Sequence, residues 1–510
     1  MKNQAFARSL GFAAFTTSLL AACGCAGSSS STAGNTTSTT TAVQVYQTTA
    51  DGTQLLTAQT SINFGSTSGS GTTTIQVTPT TVLQPWDGVG GAMTDSAATV
   101  IAALPTAQQQ SLMQQLFSTT SGAGLNMVRL PMGASDFSAS GNYSYDDVAK
   151  GLSDPTLASF SIAHDLTNIV PLLQSAQSIN PNLHILATPW SPPAWMKTNA
   201  SMVGISGASQ SSSQILTADF PYLANYFVKF VQAYSAQGLN VYAVTPQNEP
   251  LNSNSGYPSA ILTANDEVNF IANYLGPAFT NAKLSTKIIA MDDNYADTAY
   301  AQTVLASGAN AYIAGTAFHW YSGTPDAMSS TQALDSAKGV WFTEGTSTIT
   351  CATKGSCPVL TASNFTGSGF KYQMQNLVMA TVQNHARSVI NWNLALNQSE
   401  GPQNGGCYTC VGLATVNTGT STAQIYYNDA LYAMGHVGRV ATPGGSVIAT
   451  TAGTAGSVQS IGFLNPDNTV GLVAFNGASS STTITVAWNG KTFDYTMPAG
   501  SAVSFKWSVK

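Results

Sequence analysis

The sequence predicts an α/β fold: a (β/α)8 barrel over residues 86–440 with a side β-sandwich formed by segments from both ends of the chain. Three observations carry this. Eight short apolar runs bounded by turn residues alternate with amphipathic helical stretches in the central part. The flanking segments, 43–85 and 441–510, are rich in Thr, Val, Ile and Gly in alternating order, as half-buried strands are. Two of the chain's four glutamates, Glu249 and Glu344, each close one of the apolar runs, where a barrel gathers its functional residues.

The N-terminal residues read as an export signal, 1–22. Lys2 and Arg8 precede an apolar stretch from Leu10 to Leu20, followed by small residues, and eleven residues are too few to span a bilayer. Leu20–Cys23 (LAAC) resembles the lipobox of bacterial lipoproteins, which makes Cys23 a candidate lipid-modified membrane tether; the alternative is an ordinary secretory signal. Either places the protein outside the cytoplasm, as an anchored lipoprotein or a secreted one. Residues 23–42 are dominated by Ser, Thr, Gly and Ala and cannot bury enough apolar surface to fold, so they form a linker.

The apolar runs are Gly88 to Thr94, Asn126 to Pro131, His184 to Pro189, Val241 to Gln247, Lys287 to Asp292, Thr316 to Trp320, Gly339 to Thr343 and Ser388 to Asn393. Helical patterns between them include Phe220 to Gln237 and Phe370 to His385, with apolar residues recurring at three and four. Eight such units in about 350 residues argue for a closed barrel. Strands such as Val458 to Phe463 and Thr482 to Trp488 belong to the flanking segments, which pair into one sandwich or stand as two separate appendages.

Composition narrows the function. The chain is 43% hydrophobic and only 7% charged, with net charge −6 and sixteen Lys and Arg scattered singly. No basic stripe serves nucleic acid, and neutral hydroxyl-rich partners fit better. Beyond the signal, Cys351, Cys357, Cys407 and Cys410 are expected to pair in an oxidising compartment; local bridges are the simplest of three connectivities. The Cys407–Cys410 spacing lacks the second CxxC or His pair of a zinc site. Gly88–Gly90 is no dinucleotide loop, since the third glycine position holds Met93, and neither GxSxG nor HExxH occurs. No metal and no cofactor is expected.

A chain that almost never uses Glu keeps it where a carboxylate of that length has work to do. Glu249 ends Val241–Glu249 and Glu344 ends Gly339–Glu344, on strands four and seven. Two carboxylates in one pocket are the minimum equipment for glycosidic hydrolysis. The other two serve as controls. Glu267, in Thr263–Val268, sits in a helix-start pattern and reads as a solvated first-turn residue. Glu400, in a Gly/Pro loop after strand eight, lies on the same barrel face.

Seven blocks together carry a family resemblance: Asp87–Ala97 (DGVGGAMTDSA), Val128–Ser138 (VRLPMGASDFS), Thr188–Asn199 (TPWSPPAWMKTN), Gln247–Pro250 (QNEP), His319–Tyr321 (HWY), Thr343–Glu344 and Asn391–Asn397 (NWNLALN). They resemble glycoside hydrolase family 30, most of all its glucosylceramidase-like branch, in a bacterial, exported form. The resemblance implies a retaining β-glycosidase with Glu249 as acid/base and Glu344 as nucleophile, so Glu249 needs surroundings less favourable to charge than Glu344 does. It further implies that Arg129 supports ionised Glu344, that His319 and Tyr321 donate hydrogen bonds to it, and that Asn248 binds the sugar 2-hydroxyl. Asp136, Trp190 and Trp392 complete the sugar subsite, although either indole taken alone reads as a packing residue. The implied substrate is a β-glucoside, glucan or glycolipid, cleaved in exo fashion or, as the alternative, in endo fashion on β-1,6-glucan. A surface carbohydrate-binding protein without activity is the reading from another class. The cysteine-bearing loops, Gly345 to Phe365 and Gln398 to Val411, match no family block and are expected to shape the aglycone side. Oligomeric state is not legible.

Overall fold

The computed structural model describes residues 41–65, 68–207, 210–353, 356–419, 422–451 and 458–509. The expected signal peptide, Cys23 and nearly all of the expected linker lie outside the described residues.

Eight parallel strands close into a barrel: β1 (Gly88–Ala92), β2 (Met127–Pro131), β3 (His184–Thr188), β4 (Val241–Val244), β5 (Lys287–Asn294), β6 (Ile313–His319), β7 (Gly339–Gly345) and β8 (Ala386–Asn391). All eight apolar runs are strands, and β1 pairs with β8 in register Val89↔Val389 to complete the ring. The glycine-rich β1 has a steric reason. A Cβ on Gly90 would fall 1.7 Å from the carbonyl oxygen of Met127 on β2, so only glycine permits that approach. The helix Phe220–Ala236 buries Leu223, Phe227, Phe230, Val231 and Tyr234 along one stripe, the apolar face read from its periodicity. The segment Gly367–Tyr372 continues through a π-helical stretch, Gln373–Met379, to Ala380–Gln383.

Strand parity builds the site. Met127, Leu186, Ala243, Ile289, Ala317, Trp341 and Ile390 form one apolar layer inside the barrel. Because side chains on a strand alternate, the residues two further along, Arg129, Thr188, Thr245, His319, Thr343 and Trp392, continue on the inner side toward the C-terminal mouth. On β5 the parity breaks. Met291 and Asp292 both adopt positive φ, 72° and 69°, and the pairing with β6 shifts register between Met291 and Asp293. This bulge turns Asp292, rather than Met291, into the layer above Ile289, and re-aiming a side chain is what such irregularities do beside active sites.

Strands from both chain ends form one nine-stranded sheet, in the order 57–63, 42–48, 502–508, 469–476, 458–464, 446–451, 73–85, 482–488 and 491–497. The flanking segments are thus a joint β-sandwich domain rather than two appendages. Its core gathers Val45, Ile75, Leu472, Val486 and Phe505, and Phe64 packs 4.8 Å from Phe493 and 5.3 Å from both Trp488 and Trp507.

Glu267 departs from its expected place. Thr263 caps the helix Ala264–Phe270 as anticipated, its side chain accepting from the Asp266 N–H, yet Glu267 is fully buried. Its Oε1 accepts from the Met291 N–H at 2.9 Å, and its Oε2 meets the Tyr300 hydroxyl. The helix turns its first-turn acid inward against β5 instead of toward water.

Candidate active site

Arg129 is the inner cation of β2 and is wholly buried. Its Nη1 donates to Glu344 Oε2, and its Nη2 lies 2.8 Å from Asp292 Oδ2 and 2.6 Å from Asn248 Oδ1. Asp292 is within hydrogen-bond distance of five donors: Arg129, His319 Nε2 (3.1 Å), Thr343 (2.7 Å), Thr245 (2.7 Å) and Thr188 (3.1 Å). Burial opposes its charge, but Arg129 and His319 outweigh burial and hold the carboxyl far below the usual range. Sequence reasoning missed Asp292, because its inward direction depends on the bulge.

The resemblance has His319 donating to Glu344. In the structure it bridges two other carboxylates instead, with Nδ1 3.3 Å from Glu249 Oε1 and Nε2 3.1 Å from Asp292 Oδ1. Burial disfavours its charge, yet the charge on Glu344 and the bonds to Asp292 and Glu249 push it up to about 10, so it is an imidazolium with both N–H groups engaged. Glu249, His319 and Glu344 each place a ligating atom within 4.8 Å of the others, a grouping a metal ion could use by residue type. A doubly protonated His319 has no lone pair to give, so the trio suits a proton-handling site better.

The same figure puts a carboxylate oxygen of Glu249 within 4.8 Å of one of Glu344, across the barrel from β4 to β7. Tyr321 donates to Glu344 Oε1 at 2.8 Å, as expected. Glu249 sits at φ 42° in the turn after β4, with Asn252 Nδ2 2.7 Å from its Oε2. Its electrostatics correct the expectation. Burial favours the neutral acid, but the hydrogen bond and charge of His319 and the Asn252 amide hold the carboxyl below its ordinary value.

The two glutamates open into a cavity of about 460 Å3 lined also by Asp136, Trp190, Asn248, Asn254, Tyr257, Tyr321, Trp392 and the run Gly405–Cys410. That volume suits a small ligand. Of the expected site residues, Arg129 and His319 do not line it; they hold the carboxylates from behind. Trp190 and Trp392 stack on each other at 4.8 Å and 20°, and Arg129 lies 4.8 Å from the Trp190 ring, so part of each indole surface is already occupied. Asp136 is pushed up to about 8, first by burial and then by the charges of Glu344 and Glu249, against the Cys407 backbone N–H, which favours its ionised form. Glu400 is fully buried, its carboxyl has no hydrogen-bond partner among the described residues, and it is absent from the cavity wall. Burial alone pushes it up to about 8.

Of the two cysteine loops, the one after β8 lines the cavity, through Gly405–Cys410. Cys351–Cys357 and Cys407–Cys410 are both disulfides, the local pairing. Ser347–Thr348, just past β7, pairs antiparallel with Cys410–Val411, which zips the two loops together. Gly405 and Gly406 allow close approach: a Cβ on Gly405 would lie 1.9 Å from the Gly256 carbonyl oxygen, and one on Gly406 would lie 2.3 Å from Asp136 Oδ2. The loop after β8 therefore touches the loop after β4 and lies over Asp136.

A barrel that brings two carboxylates from β4 and β7 this close together in one cavity has the equipment of a retaining glycosidase. Residues 86–441 match the glycosyl hydrolase family 30 TIM-barrel domain and residues 444–505 its β-sandwich domain. The chain belongs to glycosyl hydrolase family 30, whose members are retaining O-glycosyl hydrolases. It is 34% identical over 424 residues to an endo-1,6-β-D-glucanase of Aspergillus fumigatus, covering 79% of this chain and 82% of that one. It is 29% identical over 417 residues to the lysosomal acid glucosylceramidase of Mus musculus, covering 80% and 78%. Among solved structures, an endo-β1,6-glucanase superposes with TM-score 0.81 at 30% identity, covering 91% of this chain and 99% of that one.

Proposed function

We propose that the protein cleaves β-1,6-linked glucan by double displacement, with Glu344 as nucleophile and Glu249 as acid/base. The observation that carries the mechanism is the approach of these two carboxylates to within 4.8 Å, as the roughly 5 Å separation of retaining enzymes requires. Glu344, oriented by Arg129 and Tyr321, attacks the anomeric carbon while Glu249 gives its proton to the departing oxygen. A glycosyl ester remains. Water then loses a proton to Glu249 and attacks the same carbon, and the Glu344 ester bond breaks.

Glu249 holds its carboxyl low in the open cavity. Substrate that displaces the remaining water adds to desolvation, already the largest influence on this group, and moves it toward the acid the first step needs. Loss of the Glu344 charge in the ester favours the carboxylate the second step needs. Asn248, fixed through Arg129, and Asp136, neutral near pH 7, offer hydrogen bonds to sugar hydroxyls.

The substrate assignment is supported by the two endo-1,6-glucanases, at 34% and 30% identity. A second reading, removal of glucose from a glucosylceramide-like lipid, draws on the glucosylceramidase relative. Residues 1–22 act as the export signal and residues 23–42 as a linker, with Cys23 as the lipidated tether in the anchored form; the two disulfides suit an oxidising compartment.

The test is product analysis on β-1,6-glucan, an aryl β-glucoside and glucosylceramide in detergent. Oligosaccharides from the glucan support the proposal, whereas free glucose from the small glucosides alone moves it to the second reading. Glu344→Gln is expected to stop turnover of every substrate. Glu249→Gln keeps the first step on glucosides with good leaving groups and yields a β-azide product when azide is added; the reverse behaviour would overturn the roles.

A further inference from the structure

The turn after β4 does more than end a strand. Glu249 donates its N–H to the Asp292 carbonyl at 2.9 Å and accepts the Asn252 N–H at 2.8 Å, so the backbone folds back and delivers the Asn252 side chain to the carboxylate it has just passed. The Asn252 amide then makes two bonds, 2.7 Å to Glu249 Oε2 and 3.0 Å to the hydroxyl of Tyr257. An amide nitrogen has two hydrogens, and both are placed.

We propose that Asn252, braced by Tyr257, is a positioning residue that selects which oxygen of Glu249 carries the catalytic proton and where that proton points. The proposal rests on the reading of Glu249 as acid/base. His319 Nδ1 occupies Oε1 and is fixed from its far side by Asp292. An imidazolium N–H facing Oε1 makes that oxygen the carbonyl of the neutral acid and leaves Oε2 to bear the hydrogen. Asn252 fills one acceptor direction of Oε2, so the hydrogen takes the other. Without Asn252 the carboxyl is held at one oxygen only and can rotate its hydroxyl away from the leaving group.

Asn252 also stabilises the ionised form of Glu249. The other groups acting on that carboxyl come from several elements: Arg129 from β2, His319 from β6, Glu344 from β7, Asp293 and Asp297 from β5 and the turn after it, Asp136 from the loop after β2, and Tyr257 from its own loop. Of these only Tyr257 touches Asn252, and it loses that bond when Asn252 is replaced; the others keep their places.

The experiment measures kcat/KM against pH for Asn252→Ala and Asn252→Asp on two aryl β-glucosides, one with a good leaving group and one with a poor one. The descending limb, which reports the acid, should move to higher pH by about one unit in Asn252→Ala and further in Asn252→Asp, where a new carboxylate opposes ionisation. Activity on the poor leaving group should fall at least about tenfold, with the good leaving group changed less than about threefold. Equal losses on both substrates with an unmoved limb would overturn the proposal and leave Asn252 a loop residue. Azide rescue of Glu249→Ala, run beside these, separates the two failures: no β-azide product removes the acid/base reading itself, whereas rescue together with an inert Asn252 removes only its positioning role.

Discussion

Replacing Glu267 by Gln should stabilise the protein in alkaline solution and leave it unchanged in acid. The carboxyl is fully buried against β5, and burial pushes it up from 4.5 to about 7 against the opposing bonds from Tyr300 and the Met291 N–H. The Tyr300 hydroxyl also reaches the Leu262 carbonyl at 2.9 Å. A protonated Oε2 therefore gives its hydrogen to Tyr300, which passes its own to Leu262, and every group is satisfied. Below pH 4.5 folded and unfolded chains both hold the proton. Between 4.5 and about 7 only the folded chain does, so rising pH favours unfolding. At about 1.4 kcal/mol for each pH unit that separates the two titrations, the loss reaches about 3 kcal/mol above pH 7. A glutamine amide in the same place would present an N–H to Tyr300 and a carbonyl to Met291, and it never titrates. Urea unfolding of the two proteins, followed by tryptophan fluorescence at about pH 4.5, 6 and 8, should give coincident curves at the lowest pH and a gap widening to about 3 kcal/mol at the highest. A gap independent of pH, or a variant weaker in the alkaline range, would refute the reasoning.

Other outcomes follow from the same geometry. Asp292→Asn removes one of the two carboxylates paired with the buried Arg129, leaving Glu344, and breaking a buried pair costs up to about 3–5 kcal/mol; thermal melts should show the lost stability and kinetics a fall in kcat of at least about a hundredfold, from the loosened His319 and Arg129. Gly406→Ala drives a methyl group to 2.3 Å from Asp136 Oδ2, so KM should rise about tenfold or more with folding intact, and a KM matching the parent would show that the loop yields freely. Replacing Cys407 and Cys410 by Ser should weaken binding of every substrate that shares the glycone, since the bridged loop lies over Asp136. A loss confined to polymer would return this loop to the aglycone side.

What could be read in advance follows physical locality. The barrel was legible because a parallel strand covered on both faces is an unbroken apolar run, and each of the eight leaves one. Glu249 and Glu344 stood out through scarcity and through their place at strand ends. Asp292 also ends an apolar run, but its inward direction comes from two consecutive positive-φ residues that no periodicity announces. Glu267 was misread for the opposite reason: its helix-start pattern is local and correct, while its burial is set by Tyr300 and β5, both distant in sequence. His319 was placed in the site but given the wrong partner, because Asp292, which fixes its ring, was not seen. The loops after β7 and β8 match no block, and the contact of the second across the mouth depends on Gly405 and Gly406, whose neighbours belong to other loops.

The interleaving of the nine-stranded sheet sets the order in which the molecule can be finished. Val43 pairs with Trp507, so the first described strand waits through almost the whole chain for its partner. The span 73–85 waits similarly for 446–451 and 482–488. Closing a contact that long costs entropy before it returns any binding energy, and the barrel, whose strands join sequential neighbours, can form first and bring the ends together. A chain stopped short of residue 502 would carry a completed barrel beside two unpaired β edges, which are templates for aggregation. Truncation at the far terminus, remote from every carboxylate in the cavity, should therefore be detected first as lost solubility rather than as lost chemistry.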